Sequence, residues 1–66
     1  MDSEALMKFA QSAGIKDYSQ AKKISEIRNR SEFISELMKD SNVRKTYDKS
    51  YKIEEELKKE GLFYKF

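Results

Sequence analysis

The chain contains neither cysteine nor histidine, and only two of its 66 residues are glycine. Without cysteine no disulfide can brace the fold, and without cysteine and histidine the usual ligands of a structural zinc are missing. The same absences remove the commonest general acid-base group and the thiol nucleophile, which argues against an enzyme. Gly14 and Gly61 stand alone, so no glycine-rich loop can cradle a phosphate. With a single valine and no alternating apolar-polar run, strands have no signal. No apolar run approaches the ~20 residues of a membrane helix. Asp2 and Glu4, close behind Met1, differ from the basic start of a signal peptide. These features lead to the expectation of a cytoplasmic protein that has no cofactor, metal or small-molecule substrate and does not engage a membrane.

Charge is what the chain has in abundance: 39% of residues are charged against 38% hydrophobic, with a net charge of +2. That apolar share is enough for one folded domain spanning 1–66, although a chain this short hides only about 60% of its unfolded surface. Packing of helices, or a partner chain, must supply the stability that disulfides and metals cannot.

Helical periodicity organises the sequence. From Asp17 to Met38 the residues Ala21, Ile24, Ile27, Ile34 and Met38 fall within an arc of roughly 140° on one helical side. Upstream, Leu6, Phe9, Ala10 and Ala13 share a face, with Asp2 or Ser3 as cap. Gly14 is suited to end that helix, with Ile15 folding back onto it. Asp17 can cap a second helix from about Tyr18, with Gln20 three residues on as its capping-box partner. Arg28, Asn29 and Arg30 suit a last turn, and Ser31 can cap a new helix at Glu32. An unbroken helix to Lys39 is the alternative, but Phe33 would then point away from the stripe. Asp40, Ser41 and Asn42 can each cap a final helix, on which Val43, Tyr47, Ile53 and Leu57 share a face with Tyr51 at its edge. On its outer surface Asp48–Lys52, Glu54–Lys58 and Glu55–Lys59 have the four-residue spacing of helical ion pairs, each contributing ~0.2–0.5 kcal/mol. Gly61 ends the helix, and 62–66 form an apolar, aromatic tail. The expected fold is all-α, a small bundle of three to four short helices.

Two binding chemistries fit this bundle. Glu54, Glu55 and Glu56 are adjacent, so they splay around a helix and cannot converge as paired catalytic acids. The first binding chemistry is a protein partner or a second copy of the chain, met by the last helix and the aromatic C-terminus. Tyr47, Tyr51, Leu62, Phe63, Tyr64 and Phe66 are its candidate residues, because aromatic side chains bury much area for little lost rotamer freedom.

The alternative is DNA. Residues 16–30 carry Lys16, Lys22, Lys23, Arg28 and Arg30 against only Asp17 and Glu26, and 41–52 carry Arg44, Lys45, Lys49 and Lys52 against only Asp48. The small Ala10, the turning Gly14, the apolar Ile15 and the inward Ala21 and Ile24 together resemble a helix-turn-helix, with one extra residue in the turn. That resemblance implies a second helix entering a groove. It would put Gln20 and Ser19 near base edges, and Lys16, Lys22, Lys23, Arg28 and Arg30 near phosphates.

Overall fold

The computed structural model describes residues 3–63 as five helices: α1 (Ser3–Ala13), α2 (Tyr18–Ser25), α3 (Arg30–Met38), α4 (Ser41–Thr46) and α5 (Ser50–Lys59). There is no strand among the described residues. The helix count exceeds the expected three to four because the chain breaks between α4 and α5 as well as between α2 and α3, and each break has a packing reason.

α1 buries Leu6, Phe9, Ala10 and Ala13, the four residues its periodicity selects. At its end Gly14 adopts φ +133°, and the Ile15 amide donates to the Ala10 carbonyl at 3.0 Å. This six-to-one closure, onto a carbonyl that also accepts from the Gly14 amide at 3.2 Å, turns Ile15 back into the core. Asp17 caps α2, its carboxylate accepting from the Ser19 amide at 2.9 Å.

The first break falls after Ser25, earlier than the sequence suggested. The cap of α3 is Asn29, which accepts from the Glu32 amide at 2.9 Å. Ser31, the expected cap, lies inside the helix. Four non-helical residues between α2 and α3 reset the helical phase, so Phe33 turns inward with Leu37. The single stripe of the sequence is thus divided between two helices.

The second break separates α4 from α5, where one helix was expected. Asp40 caps α4, accepting from the Asn42 and Val43 amides at 2.8 and 3.3 Å. The chain then leaves helical geometry at Tyr47 and at Lys49. This bend brings Val43, Ile53 and Leu57 into one core, all fully buried. Of the three outer pairs, Asp48–Lys52 forms at 3.1 Å, while Glu54 turns to Arg30 on α3 at 3.3 Å.

Gly61, at φ +75°, ends α5, and the Leu62 amide closes onto the Leu57 carbonyl at 2.9 Å. Phe63 follows and is buried, its ring 5.2 Å from that of Phe33. Phe33 also meets Phe9 at 6.4 Å, so an aromatic chain joins α1, α3 and the segment after α5. α1 packs most extensively on α2, and α5 packs chiefly on α3.

Candidate functional site

α3 and α5 pack against each other, with Arg30 at the start of α3 paired to Glu54 in the middle of α5. Between them lies an open groove of about 540 Å³. Ser31, Ile34, Ser35, Met38 and Lys39 line it from α3, and Ser50, Tyr51 and Glu54 from α5. Its floor is apolar because Ile34 and Met38 sit four residues apart on one side of α3. Ser31 and Ser35, also four apart, add small polar side chains to the same lining. Tyr51 forms the lip. It and Tyr18 are the large hydrophobic residues left exposed, at 53% and 59%. Lys39 and Glu54 bring the charge to its lining. The Lys39 ammonium donates to Glu36 at 2.7 Å, and that bond raises its pKa above the ordinary lysine value.

The structure redistributes the expected protein-binding residues. Tyr51 remains available at the groove. Tyr47 is half-buried, stacked on Phe9 at 6.3 Å between centroids, and Leu62 is half-buried against the core. Phe63 is no tail residue: it is 5% exposed and closes the end of the core over Phe33. Tyr64 and Phe66 lie outside the described residues. Ile34 and Met38 read in sequence as ordinary core, and their contribution to a surface groove needs the α2–α3 break to be known.

The basic segment divides likewise. Lys16, Ser19, Gln20, Lys22 and Lys23 are all exposed, on α2 or at its entrance. Arg28 is exposed but engaged, donating to the Ser25 carbonyl at 2.9 Å and to the Ser3 hydroxyl at 2.5 Å, which ties the end of α2 to the start of α1. Arg30 is engaged by Glu54. Among the described residues, Gly14 and Ile15 do form a tight turn between α1 and α2, but Asp17 places a carboxylate at the end of α2 that would approach phosphate.

A second cluster joins Tyr47 to Glu56 and Glu60. Burial raises the Tyr47 hydroxyl pKa, with help from both carboxylates. Glu60 is raised by burial, by a hydrogen bond with Glu56 and by the Glu56 charge. The folded state therefore holds this proton more tightly than the unfolded chain does. Its contribution to stability is present at low pH and is lost as pH rises through the raised folded value. Glu60→Gln is expected to stabilise the protein at neutral pH by roughly 0.2–0.5 kcal/mol, relieving a like-charge pair four residues apart. Thermal melts of wild type and variant should converge in mild acid, and a difference unchanged by pH would refute the assignment.

Among the described residues no three acidic side chains gather as metal ligands, and no helix is long and apolar enough to cross a membrane. Compared with protein-family models, with curated proteins and with solved structures, the chain matches none.

Proposed function

We propose that this chain is a small non-enzymatic protein-binding module, and that its last helix contributes through the groove that it forms with α3. The observation that carries this reading is Tyr51, which is exposed at the lip of a cleft floored by Ile34 and Met38. An amphipathic segment of a partner would fill such a cleft, its apolar side chains over Met38 and its polar ones meeting the serines and the charges of Lys39 and Glu54. The small, neutral side chains of Ser31, Ser35 and Ser50 favour close approach of a backbone.

A photo-crosslinking aromatic residue at Tyr51 should give a discrete protein adduct in cells, and Met38→Lys should abolish it. The same residue at Tyr18 is the matched control, being equally exposed but outside the groove. Identical adduct patterns at the two positions would remove the groove from consideration.

DNA binding is the second reading, favoured by the exposed Lys16, Lys22 and Lys23 beside Gln20 on one helix. It calls for retardation of duplex DNA at low salt, lost in Lys22→Glu with Lys23→Glu and falling steeply as salt rises. No retardation by the wild type would end it.

A further inference from the structure

From Val43 to Leu57 the sequence carries one helical face, whereas the structure carries two helices. Val43, Tyr47, Tyr51, Ile53 and Leu57 would share one side of a single helix at about 100° per residue. Yet the backbone turns extended at Tyr47 (φ −124°, ψ 103°) and at Lys49 (φ −138°, ψ 143°). Nothing local demands that bend. Tyr47, Asp48 and Lys49 include neither glycine nor proline, and Lys49 caps α5 without a side-chain hydrogen bond. The Asp48–Lys52 pair, at 3.1 Å, already has the spacing a continuous helix would present.

The bend exists because it returns Ile53 and Leu57 to the core of their own chain. Straightened, the segment Ser41–Lys59 would be a rod of about 28 Å at 1.5 Å per residue. The longest extent of the described residues is 27 Å, so such a rod would run the full length of the fold. With α4 held against α1 and α3, a straight continuation would point α5 along the α4 axis and away from its own α3, removing the α3–α5 packing and the Phe33–Phe63 contact. The surface that fits α3 is already defined: it is α5 of a second copy and the segment after it, with Ile53, Leu57 and the following Phe63 for the apolar face and Glu54 for Arg30.

We propose that the chain forms an exchanged dimer in which α4 and α5 join as one helix and each α5 packs on α3 of the other copy. The core contacts are preserved between chains, and the hinge gains helical hydrogen bonds that the bent form lacks. This rests on the hinge alone and is independent of the groove reading, since the groove is rebuilt from two chains.

Ser50→Pro tests it. Ser50 is the first residue of α5, a position that accepts proline, and Lys49 before it already has the extended geometry that a following proline requires. In a straight helix the same proline would lose the bond to the Thr46 carbonyl and clash with that turn. Sedimentation from micromolar to millimolar concentration should show a rising dimer fraction for wild type and a monomer throughout for Ser50→Pro. In mixed-label wild-type dimers, isotope-filtered NOEs should connect Phe33 of one chain with Phe63 of the other. Lys49→Ala with Ser50→Ala, which raises helix propensity in the hinge, should tighten the dimer several-fold, and it decides the question if the proline variant fails to fold. A wild type monomeric at millimolar concentration, an alanine pair that leaves dimerisation unchanged, or Phe33–Phe63 NOEs confined to one chain would each overturn the exchange. Crosslinking at Tyr51 in the Ser50→Pro background tests the groove separately.

Discussion

Gly14→Ala should lower the stability of this protein by about 3 kcal/mol or more, through two effects that act together. The first is conformational: φ at Gly14 is +133°, a region that side-chain-bearing residues rarely occupy. The second is spatial. A Cβ at this position would lie 2.9 Å from the Asn42 carbonyl carbon and 2.9 Å from the Val43 amide nitrogen. These are backbone atoms at the start of α4, held by the Asp40 cap, so they cannot swing aside as a side chain could. A domain of this size has only ~3–10 kcal/mol in total, so the variant should lose most of its folded population. Gly61→Ala is the internal control. Its φ of +75° is also unfavourable for alanine, but nothing lies within 4 Å of the added carbon. The expected loss there is about 1 kcal/mol. Urea titrations followed by circular dichroism would measure both, and equal losses at the two glycines would refute the close contact between the α1–α2 turn and α4.

Phe33→Ala should be more damaging still, at roughly 3–5 kcal/mol. Phe33 is fully buried and touches the rings of Phe9 and Phe63, so its removal leaves a cavity bordered by three separate segments. Phe9 and Phe63 are themselves held in the core of their own segments, so they cannot both move in to refill the space. Phe33→Leu, which keeps most of the volume, should cost no more than ~1.5 kcal/mol. At 4–8 °C per kcal/mol for a chain this small, the two variants should be separated by about 10 °C or more in thermal midpoint. A near-identical pair of melts would mean that the aromatic chain contributes little to the core.

Phe33 also shows where sequence and structure part. Its position against the Asp17–Met38 stripe was the clue that α2 and α3 are separate, and the structure bears out the break. The location of the break was less legible, because Asn29 and Ser31 are both good caps and local propensity hardly distinguishes them. What decides is that capping at Asn29 aligns Phe33 and Leu37 with the core. The candidate site followed the same rule. Tyr51 was identified from its type and its place at a helix edge, while Phe63 looked equally available. A residue two positions beyond a terminating glycine can point either way, and the closure of Leu62 onto Leu57 turned Phe63 inward.

By itself the sequence determined that the described chain is helical, that α1 stops at Gly14 with Ile15 folded under it, that Asp17 begins a helix, and that another begins within residues 40–42. Each of these depends on a few adjacent residues satisfying backbone groups at a helix end. Only the tertiary structure decided that the Val43–Leu57 face is bent at Tyr47–Lys49, that Phe63 belongs to the core, and that a groove opens between α3 and α5. Those outcomes depend on how much apolar area five short helices can hide together, a quantity no local stretch of sequence contains.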